Sequence, residues 1–255
     1  MAELLPGERL DVINENLSLI QKKDGLMFGT DAYLLAAYVK DSKVTRAAEL
    51  GAGTGVVSLL TLARQKAETV YAIEAQPEFA RLTARNGDLN GLNDRLITVE
   101  ADIRQVDEHT LGGCVDIVFS NPPYMRADCG RENTESAKNI ARREVLGGIF
   151  DFCACAARIL KYGGTFYTVY RPERLPDLME ALRANRLEPK KLTFVHATAG
   201  KAPSMVLVAS RLGGNPSLTV TPPLLIYRWD AEREYTDELK RIYESCSFED
   251  LEGFQ

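Results

Sequence analysis

The residues with the clearest chemical purpose are Asn121-Pro122-Pro123-Tyr124, which end the apolar run Asp116-Ile117-Val118-Phe119-Ser120. The run reads as a buried parallel strand, and the prolines stop it because neither can donate to a sheet ladder. Open α/β sheets bind their ligands at the carboxyl ends of such strands. There the side-chain oxygen of Asn121 and the backbone carbonyl of Pro122 can accept both hydrogens of a planar exocyclic amine, while Tyr124 stacks on the ring that carries it. Accepting both hydrogens localises the nitrogen lone pair, as a nucleophile requires. Asn121, Pro122, Pro123 and Tyr124 are therefore the candidate catalytic residues. Four residues alone also fit a plain proline-terminated strand, so the chemistry must be judged with what lies upstream.

Upstream, the apolar stretch Arg46–Leu50 runs into Glu49-Leu50-Gly51-Ala52-Gly53-Thr54-Gly55, followed by a helix over Val56–Arg64. A glycine-rich turn between strand and helix lets a ligand approach the backbone. The next strand, Thr69–Ile73, ends in Glu74, about 20 residues past the loop, where such folds place an acid on ribose hydroxyls. Asp102 follows the third strand, Leu96–Val99, and Asp31, beside Thr30, opens a helix over Ala32–Lys40, where either can cap the N-terminus. Strand-end acids around a glycine loop suit a nucleoside that carries positive charge and no phosphate. S-adenosylmethionine fits: Glu74 for its ribose, Asp102 for its adenine amino group, and Gly51, Gly53 and Gly55 beneath its methionine part, with Glu49 favouring the cationic end. Thr30, Asp31 and Asn121 complete the candidate cofactor-binding set. A nicotinamide cofactor fits less well, because the loop lacks the Gly-x-Gly-x-x-Gly spacing for a pyrophosphate.

Helices are expected over Pro77–Leu89, Ile149–Leu160, Leu175–Asn185 and Thr236–Tyr243. Further strands are expected over Thr165–Tyr170, Lys191–Val195 and Met205–Arg211, the last two joined so closely that they should pair as an antiparallel hairpin. Lys161-Tyr162-Gly163-Gly164 reads as a helix stop and turn, Leu17–Gln21 as a short strand or arm, Leu218–Tyr227 as an edge segment, and residues 125–143 as a long polar loop. The fold class is α/β: a Rossmann-like, seven-stranded, mostly parallel sheet with an antiparallel pair at its C-terminal end and helices on both faces. A single domain is expected over 1–255, made of an N-terminal arm and helix (1–40), a core (41–212) and a C-terminal extension (213–255).

Hydrophobic residues make up 45% of the chain, an ordinary globular share, and no run of about 18 apolar residues or basic-then-apolar leader is present, so a cytoplasmic protein is expected. Cys114, Cys129, Cys153, Cys155 and Cys246 have no zinc-type spacing; reduced thiols and no metal are expected. His109 and His196 read as structural. The net charge of −5 is concentrated at the end, where Asp230–Gln255 holds nine acids against three bases. Bases gather instead at Arg126, Arg131, Lys138, Arg142 and Arg143, and again at Arg171, Arg174, Arg183, Arg186, Lys190 and Lys191.

Taken together, Glu49–Gly55, Glu74, Asp102 and Ser120–Tyr124 resemble class I S-adenosylmethionine-dependent methyltransferases of the amino-methylating branch. Phe28-Gly29-Thr30-Asp31-Ala32, Ala141-Arg142-Arg143-Glu144 and Thr221-Pro222-Pro223-Leu224 are similar to segments of the bacterial tRNA (adenine-N6) methyltransferases that modify adenosine 37 of valine tRNA. Glu49 departs from a commoner Asp, and Met125 from a commoner aromatic. The resemblance implies methyl transfer to adenine N6 in a tRNA anticodon loop, with the bases after Tyr124 along the RNA backbone and no obligate protein partner or membrane. A protein glutamine amide or another nucleobase amine presents the same planar donor pair and stays open as acceptor. A non-catalytic RNA-binding module would keep the fold without turnover.

Overall fold

Residues Ala47, Ala48, Leu50, Val70, Ala72, Ile73, Ile117, Val118 and Phe119 are all nearly inaccessible, and they fall in three strands whose side chains alternate between two cores. A strand apolar on both faces needs helices on both sides, which is what parallel sheets provide. The computed structural model describes residues 4–14, 16–23, 29–40, 44–123, 147–229 and 233–248. In chain order its elements are β1 (Glu8–Asn14), β2 (Leu17–Lys22), α1 (Thr30–Tyr38), β3 (Val44–Leu50), α2 (Val56–Ala63), β4 (Ala67–Glu74), α3 (Pro77–Leu89), β5 (Leu96–Glu100) and β6 (Val115–Ser120). They continue with α4 (Ile149–Ile159), β7 (Leu160–Tyr170), α5 (Leu175–Ala184), β8 (Leu187–His196), β9 (Pro203–Leu212), β10 (Thr219–Val220), β11 (Leu224–Leu225) and α6 (Asp237–Ser245).

The main sheet runs β10-β8-β9-β7-β6-β3-β4-β5. The pairs from β5 to β7 are parallel, and β9 is antiparallel to both β7 and β8. The seven expected strands thus form the body, with the expected hairpin in β8 and β9. The segment read as an edge adds two short parallel strands on β8, bringing the sheet to nine. One core packs α1, α2 and α6 on the face of Ala47, Ile117 and Phe119; the other packs α4 and α5 on the face of Ala48 and Val118.

Two local readings change. Lys161–Gly164 is not a turn but the start of β7, where pairing with β6 shifts register between Val115 and Ile117. A bulge explains the glycines: Gly163 has φ +79°, and a Cβ at Gly164 would meet the Asp116 carbonyl at 2.8 Å. Helix α1 has no single apolar face, since every residue from Ala32 to Tyr38 is buried. Its N-cap is Gly29, with no side-chain cap, so Thr30 and Asp31 lie inside the first turn rather than capping it.

Two buried polar residues hold these pieces in place. Lys66, 1% exposed, donates from Nζ to the carbonyls of Ala36 (3.0 Å), Ala37 (3.2 Å) and Val39 (2.6 Å), closing the C-terminal end of α1 with a positive charge. Asn86 on α3 accepts from the Ile20 N–H (2.7 Å) and donates to the Ile20 carbonyl (3.1 Å). One turn on, Asn90 does the same for Ser18 (2.9 and 2.8 Å). The two amides imitate a neighbouring strand along the edge of β2 that β1 does not cover. Asn86 also donates to the Thr54 carbonyl at 2.9 Å, so the same side chain braces the glycine loop. Asn86→Ala orphans a buried backbone N–H and should cost about 2 kcal/mol in urea unfolding; a loss below about 0.5 kcal/mol would mean that the suture is unimportant.

Candidate active site

Strands β4, β3 and β6 are adjacent, so the residues after their carboxyl ends share one rim. Gly51, Gly53 and Gly55 all have positive φ (+71°, +57° and +79°), which a side chain would strain. Their surroundings differ. A Cβ at Gly55 would lie 2.8 Å from Thr83 Cγ2, and one at Gly51 would touch the Phe152 ring at 3.3 Å, whereas at Gly53 nothing lies within 4 Å. The outer two glycines therefore let the loop pack, and Gly53 is where its backbone faces open space.

The loop is held from β4. The N–H groups of Gly51 and Ala52 donate to the Ile73 carbonyl (2.9 and 3.0 Å), and the Gly53 N–H donates to Glu74 Oε2 (2.9 Å). Glu74 Oε1 accepts from the Gln76 N–H at 2.9 Å, and Thr83 Oγ1 donates to the Gly53 carbonyl at 2.8 Å. Glu74 thus shapes the loop as well as standing at the strand end where ribose hydroxyls would be held.

Glu49 is not the open strand-end anion expected from its position. It is 2% exposed beneath the first turn of α2, where Oε2 accepts from the Ser58 N–H (2.9 Å) and from the Ser58 hydroxyl. Burial, against the opposing Ser58 hydrogen bonds and helped by the Glu74 charge, pushes its carboxyl up to about 8. That shift favours the protonated, neutral form of Glu49. Asp102 is engaged differently: Arg104 donates from its backbone N–H and Nε (2.9 Å each) and from Nη2, and these hydrogen bonds hold the carboxyl below its usual range. A ligand amino group at Asp102 would share the carboxylate with Arg104.

At the end of β6, Asn121 Nδ2 donates to Asp31 Oδ2 at 2.9 Å. An ionised carboxylate only accepts, so the amide nitrogen must face Asp31 and the amide oxygen must face away. Gly29 makes room for this pair, since a Cβ there would collide with Asp31 Oδ1 at 2.7 Å. Ser120 donates from Oγ to the Leu50 carbonyl at 2.8 Å, tying the acceptor strand to the glycine-loop strand. Of the candidate set, Asp31, the glycine loop, Glu74 and Asn121 stand on α1 or just after β3, β4 and β6, and Asp102 follows β5 at the edge of the sheet. Tyr124, Met125 and the basic residues from Arg126 to Arg143 lie outside the described residues. The second basic cluster is not one patch: Arg171 and Arg174 follow the carboxyl end of β7, Arg183 and Arg186 sit at the opposite end of the sheet, and Lys190 and Lys191 lie within β8. Sequence reasoning missed Ser58 and Asn86, for which no spacing gives a signal.

No group of three or more His, Cys, Asp or Glu able to hold a metal occurs among the described residues. Cys153 and Cys155 are buried, their thiols pushed up to about 12 by burial, and do no thiolate chemistry. A hollow of about 350 Å³ lined by Gln65, Ala67, Glu68 and Arg95 opens at the amino end of β4, far from this rim, and none of the residues above contributes to it.

The order β5-β4-β3-β6-β7-β9-β8, with the glycine loop beside an Asn-Pro-Pro strand end, is the Rossmann-like arrangement of class I methyltransferase structures. Residues 33–128 match the TRM5/TYW2 methyltransferase domain family. Over most of its length the chain is similar to proteins named tRNA1(Val) (adenine(37)-N6)-methyltransferase. One from Dyadobacter fermentans is 26% identical over 84% of this chain and 89% of its own length. Another, from a Flavobacteriaceae bacterium, is 25% identical over 90% of this chain and 95% of its own. The fold is shared with a crystal structure described as a predicted O-methyltransferase from Agrobacterium tumefaciens, at a TM-score of 0.68 and 24% identity, covering 86% of this chain and 97% of that one.

The state of Glu49 has a direct consequence. Its folded value lies above the ordinary 4.5. Between 4.5 and about 8 the unfolded chain has released a proton that the folded chain keeps, so the stability contribution is full below 4.5 and is lost as pH rises through about 8. Glu49→Gln should remove this loss: melting temperatures of variant and wild type should coincide near the acid end and diverge above it, the variant being the more stable in alkali. Parallel profiles would show that Glu49 is ionised in the fold.

Proposed function

We propose that this methyltransferase acts on the exocyclic N6 of an adenosine in tRNA, and that the position is 37 in the anticodon loop of valine tRNA, in the cytoplasm. The observation that carries the chemistry is the Asn121 amide, whose nitrogen donates to Asp31 so that its oxygen is turned the other way. The substrate class rests on the relatives' names and on nearly full-length similarity to them.

S-adenosylmethionine supplies an electrophilic methyl on a sulfonium. In the proposed site the chain positions the nucleophile. The Asn121 amide oxygen and the Pro122 carbonyl accept the two N6 hydrogens, Pro123 ends the strand so that this carbonyl stays unpaired by the sheet, and Tyr124 stacks on the base. Thr30, Asp31, Glu49, Gly51, Gly53, Gly55, Glu74 and Asp102 form the cofactor side, with Glu74 on the ribose and Gly53 under the methionine part. Positioning at attack distance supplies most of the rate, because an exocyclic amine is a weak nucleophile. No base is needed beforehand, since the proton leaves after the nitrogen has become cationic. The adenine must leave its stack to enter, which is easiest in an anticodon loop.

The test is transfer of a labelled methyl group to unmodified tRNA transcripts and, in parallel, to RNA-free cell protein, followed by digestion. N6-methyladenosine mapped to position 37 is the expected product. Asn121→Ala should abolish it while cofactor affinity stays within a few-fold. Label on glutamine in protein, with none in tRNA, would overturn the substrate and leave the acceptor chemistry standing.

A further inference from the structure

Resting on the RNA reading above, we infer that Tyr243, Tyr235, Tyr227 and Trp229 form a stacking surface for unpaired nucleotides flanking the methylated adenosine. The contacts lead outward from the acceptor site. Asn121 bonds Asp31; the neighbouring Thr30 accepts from the Tyr243 hydroxyl at 3.4 Å; and Tyr33 donates from its hydroxyl to the Tyr243 carbonyl at 2.5 Å. From Tyr243 the ring of Tyr235 lies 5.6 Å away between centroids, and that of Tyr227 a further 5.4 Å, stacked on Tyr235 at 17°.

Topology places this strip on the same rim. Strand β11 runs parallel to the carboxyl end of β8, with Leu225 opposite His196, so Ile226–Trp229 leaves the sheet where Asn121 does. A bridge between Tyr227 and Tyr235 then folds the chain back into α6, whose N-cap Thr236 accepts from the Leu239 N–H. That fold leaves Trp229 and Tyr235 exposed, while Tyr227 and Tyr243 pack partly against the core beneath them. Trp229 is 64% exposed and Tyr235 38%, the latter four residues before the fully buried Leu239. Tyr235 is packed between Tyr227 and Tyr243, and Trp229 leaves most of its ring to solvent.

The charges around the strip say which part of a nucleic acid it faces. Glu234, Asp237 and Glu244 border it, and Arg228 and Lys240 are taken up by Glu234 and Asp237. Phosphates are not welcome there, whereas base faces are, and stacking on aromatic rings is tolerant of sequence. Arg171, at the carboxyl end of β7, and Lys201, in the β8–β9 connection, are exposed on the same rim between Asn121 and the strip, where the backbone of a splayed loop would pass.

Trp229 is the single tryptophan of the chain, so its fluorescence reports on the strip alone. The full-length protein is titrated with an unmodified anticodon stem-loop, following tryptophan emission and, separately, the anisotropy of end-labelled RNA. The emission should be quenched with the same midpoint as the anisotropy, and a blunt duplex of equal length should leave it unchanged. Trp229→Ala and Tyr235→Ala should each raise the RNA KM by roughly 10-fold, the size of one lost base–aromatic stack, without altering cofactor affinity. Tyr235→Phe, which keeps the ring, should restore the KM that Tyr235→Ala loses. RNA binding by anisotropy with silent tryptophan emission and unchanged KM in both alanine variants would overturn the stacking surface and leave the tRNA reading intact. Absence of both RNA binding and RNA methylation would instead overturn the tRNA reading, and the surface with it.

Discussion

A carboxylate can accept hydrogen bonds but not donate them, and the proposed acceptor side of this site depends on that asymmetry at Asp31. An asparagine amide beside a neutral partner could sit either way round with little difference in energy. Beside Asp31 only one orientation satisfies both groups, and it sends the Asn121 oxygen away from α1. Everything that fixes Asp31 therefore fixes the amide: Gly29, which leaves the carboxylate its space; the buried helix α1, packed on every side; and Lys66, whose ammonium closes the far end of that helix. A lysine almost fully removed from water is costly unless its donors are matched, and three carbonyls match them here.

The proposed cofactor side is held in a similar way. Glu74 and Thr83 hold the Gly53 peptide from its two ends, Asn86 holds Thr54, and Asn86 reaches through α3 to the N-terminal hairpin. The loop is thus braced by polar side chains from β4 and α3 while Gly53 itself stays uncovered. Glu49 lies underneath, bonded to Ser58, and Glu74 is the acid that accepts directly from the loop's Gly53 N–H. Placing a sulfonium in such a site brings cation and carboxylate together out of water, where their attraction is least screened.

Much of this was legible from residue order. Strands buried on both faces announce themselves as short apolar runs, which is why all seven of the body were found, and helix α3 was bounded by its N-terminal proline and its Asn90-Gly91 end. Gly163 and Gly164 misled because glycine marks a bulge and a turn in the same way. Strand β1 was missed because Glu8, Arg9 and Asp11 break its alternation and it lies at the surface. Of the candidate site, residue types and positions were legible, but not partners. Nothing in the order of residues says that Asn121 meets Asp31, 90 positions earlier, or that Glu49 turns inward to Ser58. Those pairings are made by strand order and helix placement, and they decide charge state and orientation.

The most direct test of the Asp31–Asn121 pair as the element that aims the acceptor is a double-mutant cycle on single-turnover methyl transfer, with cofactor saturating. Asp31→Ala, Asn121→Ala and the double variant are compared with wild type. If Asp31 works by orienting the amide, its loss matters only while the amide is present, and the double variant should be no slower than Asn121→Ala alone. Multiplying rate losses would contradict this, showing that Asp31 and Asn121 act independently and that the hydrogen bond between them does not aim the nucleophile.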